Sequence, residues 1–173
     1  VFGNWLGATP AGGARTNRSW DVRVDRGHHN EIGGTAAGEG NFISAYGSGG
    51  VEIADGDLNI VAGNEIGFGA EGDLPHGSDG VGLRGASSYN TVARNTIHRT
   101  TTGILVSGAG AIRNTFTRNL IYQTLTSAID LHGEAVPGNE GIAPPIVGAI
   151  SAHVEGVACP LCSPCQVSIL KPW

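Results

Sequence analysis

The sequence predicts an all-β chain, wound as a parallel β-helix of about five coils with three short strands in each, and followed by a short C-terminal β appendage. Three observations predict it. An asparagine spelling recurs down the chain, short apolar alternations recur with it, and glycine is heavily enriched. There are 29 glycines in 173 residues, well above the usual ~7%.

The spelling is asparagine, any residue, an apolar residue, two more residues, then the same again. It reads Asn59-Ile60-Val61-Ala62-Gly63-Asn64-Glu65-Ile66, then Asn90-Thr91-Val92-Ala93-Arg94-Asn95-Thr96-Ile97, then Asn114-Thr115-Phe116-Thr117-Arg118-Asn119-Leu120-Ile121. Self-similarity at this period marks a stacked repeat. Aligning the repeats gives three apolar columns. One holds Val22, Val51, Val81, Ile104 and Ile129. A second holds Ile32, Val61, Val92 and Phe116, and a third holds Leu6, Ile43, Ile66, Ile97 and Ile121. Period-2 alternation over so few residues indicates short strands with one face inward. Coils paired at strand spacing would make a rod on the order of 25 Å long. Abundant asparagine and glycine oppose an α-solenoid.

Composition excludes several classes. Apolar residues make up 40% and charged residues 14%, which is not the make-up of a disordered chain. The formal net charge is −5. Basic residues are scattered, with one loose group of Arg15, Arg18, Arg23 and Arg26, so no concentrated basic face points to nucleic acid. Apolar runs are too short to cross a bilayer.

The asparagines have a predicted structural role. Asn30, Asn59, Asn90 and Asn114 would stack at one corner, and Asn4, Asn41, Asn64, Asn95 and Asn119 at the next. Asparagine tolerates left-handed backbone angles, and its amide can bond the backbone of neighbouring coils. Gly50, Gly80, Gly103 and Ala128 precede four of the strand segments, where a turn would call for a small residue. Insertions at 7–20, 33–40 and 67–79 would form loops on particular faces.

The repeat stops after Leu131, which sets the organisation as a β-helix over 1–131, a Gly/Pro linker over 132–145, and strands over 146–173 acting as a cap or strand-exchange segment. Cys159, Cys162 and Cys165 lie in that last part. Clustered thiols admit a disulfide with one free thiol, inert thiols, or a zinc site with His153 as a fourth ligand.

The run Asn30-Glu31-Ile32-Gly33-Gly34-Thr35, then Gly40-Asn41-Phe42-Ile43-Ser44, Gly50-Val51-Glu52-Ile53 and Val61 to Gly67, resembles the right-handed parallel β-helix repeat proteins. These are pectate-lyase-like folds of large secreted or surface proteins of bacteria. The likeness covers about residues 1–131, and it implies a right-handed coil and an extracellular or cell-surface location. It specifies activity weakly, because the same coil serves lyases, hydrolases, adhesins and inert stalks.

Lyases of this shape resemble calcium-assisted enzymes with clustered acids. The acidic candidates are Asp55 and Asp57, and Glu71, Asp73 and Asp79 in the long loop. Calcium needs six to eight oxygens, so the bland alternative for each set is a solvated turn or loop. Galacturonan hydrolases of the family resemble one another in N-T-D and D-D signatures, which are absent here, while His76-Gly77 and His132-Gly133 are two-letter matches. Asp130, between Ile129 and Leu131, would point outward as a surface charge. His28 and His29 could act as a base or ligand or simply form a polar corner. Trp5, Trp20 and Tyr89 could offer rings to a sugar. Asn17-Arg18-Ser19 matches a glycosylation sequon. Threonines form no column, which sets aside an ice-binding face.

No catalytic residue is assigned. The expected function is a non-enzymatic extracellular structural or adhesive solenoid, as a subunit of a self-assembling surface filament. The alternative is a polysaccharide-active enzyme of the lyase type, or a carbohydrate-binding module. The expected partners are copies of the same chain or a polysaccharide. No cofactor is expected; Ca²⁺ is the ion the lyase alternative would require. Val1 to Gly7 aligns with Val61 to Gly67, so the chain opens in mid-coil. That suggests a piece of a longer protein, or ends covered by neighbouring subunits.

Overall fold

A computed structural model describes residues 1–11, 17–68 and 76–131, with 76–78 described by their backbone alone. The predicted linker, the strands over 146–173, the three cysteines, Glu71, Asp73 and His132 lie outside the described residues. The described strands form three parallel sheets. Sheet I stacks β2 (Trp20–Asp25), β5 (Gly49–Ala54), β8 (His76–Arg84), β11 (Thr100–Ser107) and β14 (Ser127–Asp130). Sheet II stacks β3 (Glu31–Ile32), β6 (Ile60–Ala62), β9 (Thr91–Ala93) and β12 (Thr115–Thr117). Sheet III stacks β1 (Trp5–Leu6), β4 (Phe42–Ile43), β7 (Glu65–Ile66), β10 (Thr96–His98) and β13 (Leu120–Tyr122). The chain visits the sheets in the cycle I, II, III, and each strand pairs with its counterpart one coil away. This is a right-handed parallel β-helix, the hand that parallel crossovers adopt almost without exception.

The three predicted columns stand in register. Val22, Val51, Val81, Ile104 and Ile129 are successive partners in sheet I. Ile32, Val61, Val92 and Phe116 follow one another in sheet II. Leu6, Ile43, Ile66, Ile97 and Ile121 do so in sheet III. Their side chains fill one interior, with Val61, Val92, Ile66 and Ile97 fully buried. Each such burial stabilises the fold by about 1.5–3 kcal/mol before entropy is counted. Burial weakens in the last described coil, where Ile129 is 38% exposed although it pairs with Ile104.

Both asparagine ladders form. In the second, Asn64 Oδ1 accepts from the backbone N–H and Nδ2 of Asn41, and Asn95 Oδ1 accepts from the same groups of Asn64. Asn64 Nδ2 also donates to the Ile32 carbonyl, and Asn95 Nδ2 to that of Val61. The first ladder repeats the scheme through Asn30, Asn59, Asn90 and Asn114. Buried amides are thus satisfied by the coils above and below them, as buried polar groups must be.

Two expectations are corrected. No ladder asparagine takes the left-handed angles; the residue before it does. His29, Leu58, Tyr89 and Arg113 precede one ladder, and Gly3, Gly63, Arg94 and Arg118 precede four members of the other, all at positive φ. The chain reverses one residue early, which leaves the asparagine free to aim its N–H and amide along the stack. Gly50, Gly80 and Gly103 lie inside strands rather than in turns. A Cβ on Gly50 would strike the Gly80 carbonyl and Ile66, and one on Gly80 the Gly103 carbonyl and Ile97. They are small because sheet III's isoleucines press against sheet I there. In addition, sheet I's strands begin earlier than the apolar alternation suggested, and the 67–79 insertion gives way to β8 at His76.

Candidate functional site

Two polar sites lie on the exterior. On the outer face of sheet I, alternation turns Arg23, Glu52 and Arg84 outward while Val22, Val51, Val81 and Leu83 face the core, and Asp79 joins the outer face because the alternation breaks at Gly80, which itself points at Ile97. Glu52 Oε2 lies 2.9 Å from Arg23 Nε, and its Oε1 lies 3.4 Å from Arg84 Nε. Arg84 Nη2 lies 3.0 Å from Asp79 Oδ2. One chain of charges thus ties β2, β5 and β8 together. The Glu52 side chain is only 8% exposed, so two guanidinium partners compensate its desolvation. Trp20 lies across Gly49 and Gly82, where any Cβ would strike its ring, and the Arg84 guanidinium sits 5.7 Å above that ring. Burial pushes the Asp79 carboxyl above the usual carboxylate range despite Arg84, which pulls it down; the charge of Asp130 pushes it further up. Burial outweighs the ion pair there because Asp79 is largely removed from water.

The second site is a cleft of about 510 Å³ at the corner between sheets II and III. Thr35 and Gly38 of the 33–40 loop form one wall. Phe42, Glu65 and Thr96, from three successive coils of sheet III, form the floor, and Arg94 forms the far rim. The loop is held in place. Glu39 Oε2 accepts from Ala36 N–H, and Gly3 N–H donates to the Glu39 carbonyl. Gly63 must be glycine, because at φ +66° a Cβ would lie 2.0 Å from the Gly34 carbonyl oxygen. Phe42 stacks on Trp5 at 4.3 Å and meets Phe68 edge-on. Next to Glu65 on the same face is His98, stacked on Tyr122. His98 is 7% exposed. Its Nε2 lies 3.5 Å from Glu65 Oε1 and makes no hydrogen bond. Burial pushes this imidazole below its usual pKa; Glu65 pulls it up and Arg99 pushes it down, and burial prevails.

The structure separates the residues singled out from the sequence. Asp55 Oδ1 accepts from Ala86 N–H and Asp57 Oδ1 from Ser88 N–H, so each ties its turn to the next coil. His28 Nδ1 accepts from Asp57 N–H. Asp79 stands on sheet I, away from that corner, and Asp130 is half-buried on the same sheet, in register with Leu105. Trp5 lies on sheet III, Trp20 on sheet I, and Tyr89 at the first asparagine corner under Arg113. They do not form one sugar-binding surface. Glu52, Arg84, Glu65 and Arg94 were not singled out. Their only sequence signal is an outward position beside a column or ladder residue, which acquires meaning once neighbouring coils are superposed.

The right-handed beta helix region family matches residues 24–139, and the chain belongs to that family. No curated protein and no solved structure matches it. Among the described residues, no helix is long and apolar enough to cross a membrane.

Proposed function

We propose that the protein is a non-enzymatic extracellular structural and adhesive solenoid whose copies stack end to end as a surface filament. The observation that carries this reading is the polarity of the asparagine ladders. Every rung donates from one coil to Oδ1 of the next. All donors therefore face one way along the axis and all acceptors the other, so the coils of one copy can continue the ladder of the next, and copies added along the axis build an open polymer. The inter-coil ties of Asp55, Asp57 and Glu52 support a load-bearing role, since these acids hold coils together. Electron microscopy of the purified full chain tests the reading. Rods many coil-lengths long are expected; uniform single particles at high concentration contradict it.

A second reading has its own observation. Sheet I brings Glu52, Asp79 and Asp130 together with Arg84 and Trp20 on one face. This is the grouping of acids with a base that the polysaccharide-active alternative calls for. Release of unsaturated or reducing ends from acidic polysaccharides, abolished by Asp79→Asn, would favour it over the structural reading.

A further inference from the structure

We propose that the outer face of sheet II is a docking surface for a second copy of this chain, laid against it antiparallel about a two-fold axis. The contact runs along the side of the coil, so it goes beyond the end-to-end stacking reading and does not need it. Three properties point to it.

The face is apolar and exposed at its centre. The outward positions along the strands are Glu31, Ile60, Thr91 and Thr115, in-register partners on β3, β6, β9 and β12, while their neighbours Ile32, Val61 and Val92 are buried. At the adjoining corner stand His29, Leu58, Tyr89 and Arg113, with the first three each donating a backbone N–H to a carbonyl of the coil beyond. Leu58 is 47% exposed, Ile60 38% and Tyr89 48%, all on two adjacent coils. On sheet I the corresponding middle is occupied, by the ion pairs of Glu52 and by the Trp20 ring over Gly82. Large apolar side chains gathered in the open mark interaction surfaces.

The charges divide along the face. At one end lies exposed Glu31, with Glu39 on the loop that follows β3. At the other end Arg113 precedes β12 and Arg118 follows it, with Arg94 one coil in, and all three arginines are exposed. A parallel pairing would set like charges opposite each other. An antiparallel pairing sets Glu31 of each copy against Arg113 of the other, and Leu58 and Ile60 of each against Tyr89 and Thr91. The patch is thus its own complement, as a two-fold contact requires, and the opposed charges fix the orientation.

The groups are already held in place. The Arg113 guanidinium lies 5.5 Å from the centre of the Tyr89 ring, and its Nη1 donates to the Tyr89 hydroxyl. Behind them the Asn30–Asn59–Asn90–Asn114 ladder fixes the spacing of the rows. Such preorganisation limits the ordering cost of association. Four strands at ~4.8 Å and about five residues across give on the order of 300 Å² per copy, against ~800 Å² per partner in a stable pair. Isolated copies therefore pair weakly and reversibly, and copies repeated along a rod would hold a second rod through many such contacts at once.

The test is photo-crosslinking of the full chain carrying Tyr89→benzoylphenylalanine, with the joined residues mapped by mass spectrometry. Position 89 of one copy is expected to join residues 58–60 of another. Glu31→Arg and Arg113→Glu, each alone in that background, should lower the yield of joined pairs about tenfold or more, because like charges then meet at both ends of the face. A one-to-one mixture of the two variants should restore the yield, since each end of the mixed pair again joins an acid to an arginine. That rescue separates a lost contact from a lost fold. Joins only to residues 132–173 of the same chain, a yield indifferent to both reversals, or a mixture that stays unpaired each overturns the proposal. Imaging keeps the two readings apart: rods that remain single overturn the pairing and leave the stacking, while paired particles without rods overturn the stacking and leave the pairing.

Discussion

The two exterior sites are built on the same scaffold yet treat charge in opposite ways. On sheet I, Arg23, Glu52, Arg84 and Asp79 engage one another, and Trp20 covers the glycines between them. At the corner cleft, Glu65 and Arg94 stand on neighbouring coils with no bond between them. A sheet face brings outward residues of adjacent coils into direct line, so opposite charges there pair at strand distance. A corner splays them apart around a loop. The lesson is that a uniform coil becomes differentiated outside: flat faces favour inter-coil ties, and corners with an insertion favour open polar groups.

The largest effect lies beneath both sites. Asn95→Ala removes four side-chain hydrogen bonds of the inner ladder, leaves the buried Asn64 N–H without a partner and takes one donor from the Val61 carbonyl, which stays in the β6–β9 ladder. It should cost about 2–4 kcal/mol in denaturant unfolding, since a buried orphan costs about 1–3 kcal/mol and each further lost hydrogen bond about 0.5–1.5 kcal/mol. The next pair of variants tests the contrast itself. Glu52→Ala should destabilise by about 1.5–3 kcal/mol, the value of hydrogen bonds to charged groups. Glu65→Ala should stay within about 0.5 kcal/mol, as surface changes usually do. Equal losses would show that the two sites do not differ as described. A smaller contrast is expected for the arginines. Arg84→Lys forfeits the Trp20 contact and one of its two acid partners, about 1 kcal/mol, whereas Arg94→Lys should be silent in stability.

The smallest effect depends on pH. His98 has a folded pKa below its unfolded value of 6.5, because burial disfavours the imidazolium. The folded state therefore binds fewer protons there than the unfolded one. Its contribution is fully present above 6.5 and is lost as pH falls through 6.5 toward the lower folded pKa. The wild type should lose melting temperature between neutral pH and the acid side of that window more steeply than His98→Gln. Parallel curves would place His98 outside the linkage.

How much of this was legible follows from what repeats. The three columns and both ladders could be read because interior positions recur with the coil, so Val61, Val92 and Phe116 announce one another. The left-handed turn residues could not. His29, Leu58, Tyr89 and Arg94 share no side-chain chemistry, and only their place before a ladder asparagine marks them. The interior role of Gly50 and Gly80 was hidden because a small residue in a turn and one pressed against a facing strand look alike in one dimension. Glu52 and Arg84 meet only because β5 and β8 lie side by side, and the cleft exists only because the 33–40 loop folds over Gly63. Asp55 and Asp57, read as a metal pair or a solvated turn, turned out to bond the backbone of the coil above.

Side-chain amide exchange, followed by NMR in deuterated buffer, addresses the in-register stack that supports every site. The Nδ2 protons of Asn64, Asn90 and Asn95, each donated to a neighbouring amide and a neighbouring carbonyl inside the wall, should exchange orders of magnitude more slowly than those of exposed Asn17 and Asn30. Uniformly fast exchange across all five would contradict the ladders, and with them the stacked coil.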